Sequence, residues 1–177
     1  NYSEKDLSLL TSSVVSLNEP LSYEGTDVVI GCLGAGNYAS RVLIPAFRKA
    51  GARLDTVVTS GGVKAVHHGK KNEFATASTD AETTYSSSLV NTIVIATQHN
   101  QHARQVCDAL MSGKHVFVEK PLALSMEEID EIKKAYDSQA GKCQVMVGYN
   151  RRFAPHVQKM KALISSVTGP KAFIMTM

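Results

Sequence analysis

The stretch VVIGCLGAGNYASRVLIPAF, positions 28–47, constrains the fold of this chain more than any other. A short apolar run ends at Gly34-Ala35-Gly36, and a pattern typical of a helix begins at once. This is the G-x-G-x-x-[G/A] arrangement, with Ala39 in the third small position. Gly34 permits a tight turn, Gly36 lets backbone N–H groups approach a phosphate, and Ala39 keeps the helix close to the strand. We therefore predict a strand, a turn and a helix whose N-terminus binds the pyrophosphate of a dinucleotide.

The glycine motif alone does not identify its ligand. Similar turns follow strands in methyltransferases that use S-adenosylmethionine, and they also occur where nothing binds. The residues that follow the other strands have to decide between these alternatives.

Composition and charge narrow the class of protein. A chain of 177 residues with 44% apolar residues is long enough for one domain with a hydrophobic core. The net charge is only +3 and the 19 basic residues are scattered, so we do not expect a nucleic-acid partner.

Cysteine usage and hydropathy indicate the compartment. Cys32, Cys107 and Cys143 are odd in number and lack metal-ligand spacing, which favours buried thiols in a reducing compartment and predicts no metal site. The sequence has no apolar run as long as a membrane span and no signal peptide, so we expect a cytoplasmic protein without a membrane partner.

From residue 26 onward, apolar runs typical of strands alternate with helical periodicity. The predicted strands are Val28–Leu33, Leu54–Thr59, Phe74–Ala77, Asn91–Ala96, His115–Val118 and Gln144–Gly148. Alternating βαβ units with nearly continuous apolar strands predict an α/β fold, a doubly wound parallel sheet in a three-layer αβα Rossmann arrangement. We assign residues 26–168 to this dinucleotide-binding domain.

The predicted helices each have one apolar face. Pro45 should bend or shorten the first helix, and Ser125 and Glu128 form a capping box that opens the third. The residues predicted to face inward are Ala39, Leu43, Ala46, Phe47 and Ala50; Ala103, Val106, Cys107, Leu110 and Met111; Met126, Ile129, Ile132 and Tyr136; and Val157, Met160, Ile164 and Val167.

The two ends of the chain differ from this pattern. Residues 1–25 are polar and serine-rich, and we interpret them as a linker or N-terminal arm. Residues 169–177 resemble a new strand that stops in mid-course, which predicts the start of a truncated C-terminal domain.

In an open doubly wound sheet, ligands bind outside the carboxyl ends of the strands. About 20 residues past the glycines, a carboxylate would hydrogen-bond the ribose hydroxyls of NAD. This chain instead has Ser60, Gly61 and nearby Lys64, which suit a 2′-phosphate and favour NADP. The alternative is that Ser60 and Gly61 are only turn residues. The pair His67-His68 is predicted to lie on the surface, far from this edge.

The fourth and sixth strands are followed by polar segments. Thr97 to His102 could line the nicotinamide ribose and pyrophosphate, or Asn100 could cap a helix beside exposed histidines. Arg151 and Arg152 could be an exposed pair, or one of them could bind an anion or a sugar hydroxyl.

Glu119-Lys120-Pro121, after the fifth strand, is the second strong feature. It would place an ammonium group at the ligand edge on a stiff turn, and the bond before Pro121 could be cis. Lys120 could then polarise a substrate hydroxyl or carbonyl and take part in proton transfer. An exposed loop lysine is the alternative, and the position at the ligand edge argues against it.

Taken together, GAGNYA, the Thr97 loop ending in His102, KHVFVEKPLAL and VGYNRRFAP resemble the glucose–fructose oxidoreductase / inositol dehydrogenase (Gfo/Idh/MocA) family. The resemblance implies that Lys120 contacts substrate and helps proton transfer, and that Glu119 lies by the nicotinamide. It implies cofactor contacts at Gly34, Gly36, Asn37, Tyr38, Thr97, His102 and Arg152, with Tyr38 as a lid over the pyrophosphate.

The chain departs from the family pattern at one position, and the resemblance also implies a second domain. Thr97-Gln98 stands where the family has Thr-Pro. The family has a second, sheet-rich domain that supplies a substrate pocket, a catalytic histidine and a dimer interface, so the full-length protein is expected to be a homo-oligomer. The segment GAGNYASRVLIPAF also resembles the corresponding segment of long two-module oxidoreductases. The first module of those proteins is similar to zinc-dependent alcohol dehydrogenases.

We therefore expect the cofactor-binding domain of an NAD(P)-dependent oxidoreductase that acts on a sugar-like or polyol substrate, with this chain inactive alone. The alternatives are a non-catalytic dinucleotide sensor and the methyltransferase.

Overall fold

The computed structural model describes residues 12–19 and 25–174. The strands are β1 (Val14–Ser16), β2 (Val29–Leu33), β3 (Arg53–Val58), β4 (Thr76–Ser78), β5 (Thr92–Ile95), β6 (His115–Val118) and β7 (Val145–Val147). The helices are α1 (a π-helical turn Ala39–Leu43 continued by Ile44–Lys49), α2 (Gly62–Asn72), α3 (Glu82–Tyr85), α4 (His102–Met111), α5 (Met126–Ser138) and α6 (Pro155–Ser165). Single 3₁₀ turns, His99–Gln101 and Asn150–Phe153, precede α4 and α6.

The strands form one seven-stranded sheet in the order β1-β4-β3-β2-β5-β6-β7. Every pairing is parallel except that of β1 with β4. From β2 the chain proceeds outward through β3 and β4, then crosses back to β5 and proceeds through β6 and β7 in the other direction. The doubly wound α/β fold is confirmed, and its topological switch point lies between β2 and β5, where such sheets bind ligands.

The core lies on both faces of the central strands. Successive residues of a strand point to opposite faces. Val29 and Leu33 accordingly pack with the cluster that includes Leu110 of α4 and Ile132 of α5. Ile30 and Cys32 pack in the other cluster, with residues of α1 and α2. This second layer fixes α1 against β2 and therefore fixes the glycine turn between them.

Pro45 distorts α1 without ending it. Proline has no backbone N–H to donate within a helix. The N–H of Ile44 reaches back five residues to the carbonyl of Ala39, so the turn before the proline is π-helical, and the helix then continues to Lys49. The predicted bend therefore appears as a local widening of the helix.

A short strand lies within the segment predicted to be a linker. Val14–Ser16 pairs antiparallel with β4, and the N–H of Leu17 donates to the carbonyl of Ala75. Leu17 also packs against the core cluster between the sheet and α2. Three residues are too few to show alternation in the sequence, so tertiary contact decides this strand.

Several predicted apolar faces are only partly buried. Met111 of α4 and Met126 of α5 are 74% and 70% exposed, and Tyr136 of α5 is also exposed. Leu110 and Ile132 of the same helices are the residues that pack in the core. No residue of α6 is buried. Residues 169–174 contain no strand, and residues 175–177 of the predicted final strand lie outside the described residues.

Within the described ranges, no helix combines the length and the apolar character needed to cross a lipid bilayer.

Candidate functional site

Two adjoining cavities open at the carboxyl ends of the strands. The larger, of about 780 Å³, lies at the ends of β2, β3 and β5, and the smaller, of about 420 Å³, lies at the ends of β5 and β6. They share the residues Gly36, Asn37, Ala96 and Thr97. The shared residues make the two cavities one groove across the switch point.

The two glycines of the turn have different structural roles. Gly34 has a positive φ of 89°, and a Cβ there would lie 2.5 Å from the carbonyl oxygen of Ala96. Gly34 is therefore required by the fold, because the turn packs against the loop after β5. A Cβ on Gly36 would meet no atom within 4 Å. The space beside Gly36 belongs to the groove and is where a phosphate could approach the backbone.

The adenosine end of a dinucleotide would meet the residues after β3. Ser60, Lys64 and His68 line the larger cavity. The prediction that His68 lies on the surface far from this edge is wrong, because α2 starts at the end of β3 and turns Lys64 and His68, four residues apart, toward the cavity. His67, the preceding residue, is exposed. Helical spacing from Lys64 was the sequence signal that could have identified His68.

His68 sits in an electropositive environment. Burial, followed by the charges of His67, Lys71 and Lys64, lowers the pKa of the His68 imidazole below its ordinary value. Its Nδ1 is buried and has no hydrogen-bond partner among the described residues.

The loop after β5 is held by a buried histidine. The Nδ1–H of His102 donates to the carbonyl of Pro121 at 2.7 Å, and its Nε2 lies 3.3 Å from the carbonyl of Thr97. The Thr97 hydroxyl donates to Oε1 of Gln105 at 2.6 Å. His102 lines the smaller cavity, but its ring nitrogens face the protein backbone. The alternative of exposed histidines holds for His99 alone, and Asn100 makes no side-chain cap.

The turn after β6 carries the charged residues of the smaller cavity. Glu119 and Lys120 both line it, and the Lys120–Pro121 peptide bond is cis. Lys120 is exposed, whereas Oε1 of Glu119 is buried without a hydrogen-bond partner among the described residues. A Cβ on Gly148 would lie 2.8 Å from that oxygen, so a glycine at this position leaves room for the carboxylate.

In the segment after β7, the arginine that lines the smaller cavity is not the predicted one. Arg151 lines the smaller cavity. Arg152 lines neither cavity; its guanidinium lies 5.8 Å from the ring centroid of Phe153. The Nδ2 of Asn150 donates to the Tyr38 hydroxyl at 2.8 Å, which ties the start of α1 to this segment.

The structure thus brings nine of the ten predicted site residues to one edge. Gly34 and Ser60 line the larger cavity, and both cavities include Gly36, Asn37 and Thr97. The smaller cavity adds Tyr38, His102, Glu119 and Lys120. Within the described part of the chain, no three His, Cys, Asp or Glu side chains lie together as a metal site would require.

Comparison with protein families decides the class. Residues 28–149 match the model of the Gfo/Idh/MocA oxidoreductase family, described as an NAD-binding Rossmann fold. The chain belongs to the Gfo/Idh/MocA family. Because the matched domain binds a dinucleotide, the family favours an oxidoreductase over the methyltransferase that the glycine turn left open.

Several curated relatives of the chain are oxidoreductases or reductases. An oxidoreductase of Formosa agariphila is 30% identical over 77% of this chain, and a 1,5-anhydro-D-fructose reductase of Ensifer adhaerens is 27% identical over 78%. The alignments cover 42% and 41% of those relatives. The chain therefore spans about two fifths of their length.

Solved structures share the Gfo/Idh/MocA fold. A levoglucosan dehydrogenase in complex with NADH and levoglucosan aligns with a TM-score of 0.68 and 23% identity, over 78% of this chain and 39% of that one. A 3-ketoreductase of Actinomadura kijaniata in complex with TDP-benzene and NADP aligns with a TM-score of 0.71 and 16% identity, over 78% and 43%. At these identities the likeness establishes the fold alone.

Proposed function

We propose that this chain is the cofactor-binding domain of an NAD(P)-dependent oxidoreductase that acts on a sugar-like or polyol substrate. The observation that carries the proposal is the single groove formed by the two cavities at the switch point, with the glycine turn at its centre. The groove connects an end at β3, where the described lining residues include Lys64 and no acid, to an end at β6 that holds Glu119 and Lys120.

The groove fits an extended dinucleotide in one direction. Gly34, Gly36 and Asn37 would hold the pyrophosphate at the N-terminus of α1, where unpaired N–H groups and the helix dipole favour negative charge. The adenosine would then lie at Ser60, and the nicotinamide would lie near Thr97 and Glu119. Tyr38, hydrogen-bonded to Asn150, would cover the pyrophosphate.

The β3 end favours NADP over NAD. An NAD-selective site places a carboxylate on the ribose hydroxyls. The described residues that line the larger cavity include no Asp or Glu, and Ser60 and Lys64 supply a hydroxyl and a cation suited to a 2′-phosphate.

Lys120 is the proposed catalytic residue. When bound, the nicotinamide exchanges a hydride with a carbinol or carbonyl carbon. The Lys120 ammonium, exposed at the smaller cavity, would donate a hydrogen bond to the oxygen on that carbon. As the oxygen gains or loses negative charge, Lys120 would stabilise it and transfer a proton. His102 holds the turn that carries Lys120 in place through Pro121.

The substrate class and the remaining parts of the enzyme are proposed from the family. The inositol 2-dehydrogenase of Paracoccus denitrificans is 36% identical over 45% of this chain, and it supports a polyol substrate. We propose that a C-terminal domain completes the substrate pocket and a homo-oligomer, and that the protein is cytoplasmic. The exposed side chains of Leu163 in α6 and Val167 just after it would suit contact with such a domain. We expect no polyol oxidation by this chain alone.

Calorimetric titration with NADPH and NADH tests the cofactor assignment. We expect NADPH to bind more tightly, and Ser60→Asp to reverse the preference by placing a carboxylate beside the adenosine ribose. Val63→Asp is the matched control, because Val63 is exposed and lies on α2 outside the larger cavity. A tighter complex with NADH in the unmodified chain would contradict the NADP assignment.

A further inference from the structure

His68 and Lys64 are two basic side chains in the wall of the larger cavity. They lie four residues apart on α2, whose first turn follows Ser60 directly, so both side chains face the β3 end of the groove. His68 is half-buried and Lys64 is exposed. The geometry therefore presents one permanent cation and one imidazole that becomes a cation when it takes up a proton.

No acid within the described cavity wall balances these two groups. The segments after β2, β4 and β5 contribute Gly, Ala, Asn, Thr and Gln residues to the wall, and the segment after β3 contributes Thr59 and Ser60. The other charged groups that act on His68 are Lys71 and His67, both on α2 and both electropositive. An anion bound in this cavity would bring to His68 a negative charge that none of these neighbours supplies.

We propose that Lys64 and His68 together bind the 2′-phosphate of NADP(H), and that His68 takes up a proton from solvent when this phosphate binds. The inference rests on the proposed function, which places the adenosine ribose beside Ser60. It adds a residue that determines cofactor specificity and makes that specificity depend on pH.

The direction of the pH dependence follows from the charges around His68. In the free chain, burial and neighbouring cations lower the pKa of His68, so the imidazole is neutral above its ordinary pKa of 6.5. A phosphate dianion reverses the sign of the local field and raises that pKa in the complex. Over the pH range in which the phosphate is a dianion, affinity for NADPH therefore weakens as pH rises toward the pKa of His68 in the complex. NADH has no 2′-phosphate, and its affinity does not follow this change.

The experiment is a titration of the chain with NADPH and with NADH between pH 6.5 and 8.5, in two buffers of different ionisation enthalpy. This range keeps the 2′-phosphate mostly dianionic, because its second pKa is about 6. We expect the Kd for NADPH to rise roughly tenfold across the range, the scale of a charge-assisted hydrogen bond, with proton uptake on binding. His68→Gln should abolish both effects and leave NADH binding unchanged. His67→Gln, at the exposed neighbour outside the cavity, should keep proton uptake and the direction of the pH dependence, although the pH range of the change shifts because His67 helps to lower the pKa of His68.

Three outcomes would overturn the inference while the dinucleotide proposal stands. They are a His68→Gln chain with the unmodified pH profile, a His67→Gln chain that loses the profile equally, or NADPH binding without proton uptake. If neither cofactor binds at any pH, the proposed function fails and this inference fails with it.

Discussion

The Nδ1–H of His102 donates a hydrogen bond to the carbonyl oxygen of Pro121 at a distance of 2.7 Å. The ring is fully buried, and it joins the first residue of α4 to the turn that follows β6. The two loops on either side of the smaller cavity are therefore connected by one side chain. This connection places Lys120 relative to Thr97.

Replacing His102 should weaken the fold as well as the site. In His102→Leu, the part-buried carbonyl of Pro121 loses its donor, and we expect a loss of about 1–3 kcal/mol in the free energy of unfolding. Urea denaturation measures this loss. His99→Leu is the control, because His99 is exposed at the preceding turn, and its effect should be within about 0.5 kcal/mol. Equal stabilities of the two variants would contradict the proposed connection.

Substitution of the two glycines of the turn should have different effects: one should lower stability and the other should weaken cofactor binding. Gly34→Ala places a Cβ against the carbonyl of Ala96 at a positive φ, so we expect a loss of stability of at least about 1–3 kcal/mol. Gly36→Ala meets no protein atom and should leave stability unchanged, but its methyl group occupies the phosphate space and should weaken NADPH binding roughly tenfold or more. Thermal unfolding and calorimetry measure the two effects. Tight NADPH binding by Gly36→Ala would place the phosphates elsewhere.

Much of this architecture could be predicted, because its signals are local in the sequence. Buried parallel strands are apolar throughout, and the glycine turn and the Ser125 cap depend on neighbouring residues. The Ser125 hydroxyl accepts from the N–H of Glu128 at 3.3 Å, as predicted, although the Glu128 carboxylate accepts from Leu124. The residue type also allows the cis bond that the structure has before Pro121.

The features that were missed depend on tertiary contact. The strand Val14–Ser16 exists because the edge of β4 is available to pair with it. The orientation of α2 brings His68 to the cavity, and the 3₁₀ turn Asn150–Phe153 presents Arg151 there and turns Arg152 away. In the pairs His67-His68 and Arg151-Arg152, the backbone geometry determines which residue lines a cavity. The sequence alone does not distinguish the two members of either pair.

The N-terminal segment should contribute to stability although it was predicted to be a linker. Leu17→Ala removes apolar contact with the core cluster beside α2, and we expect a loss of about 1–2 kcal/mol in the free energy of unfolding. Val15→Ala, on the exposed β1, should change stability by less than about 0.5 kcal/mol. Urea denaturation of both variants tests this, and a Leu17→Ala chain as stable as the unmodified one would show that the segment is not part of the folded unit.

The chain should lose stability in alkali. Burial raises the pKa of the Cys32 thiol from 9.0 to about 12, so between these values the unfolded chain has lost a proton that the folded chain keeps. The stabilisation is complete below pH 9 and falls as pH rises toward 12, with a slope of about 1.4 kcal/mol per pH unit from this group. Burial also raises the pKa of Tyr85, which adds to the loss above pH 10.

Urea denaturation at pH 8 to 10.5 measures the slope, and Cys32→Ala should reduce it. If the two chains have the same slope, Cys32 is not the group that titrates.

The central claim is that the groove at the carboxyl ends of the strands binds a nicotinamide dinucleotide. Its most direct test is calorimetric titration of the unmodified chain with NADPH, NADH and S-adenosylmethionine at pH 7, with Gly36→Ala as the matched variant. We expect saturable one-to-one binding of NADPH, weaker binding of NADH, none of S-adenosylmethionine, and NADPH binding that is roughly tenfold or more weaker in Gly36→Ala. Binding of S-adenosylmethionine, or of neither dinucleotide, would contradict it.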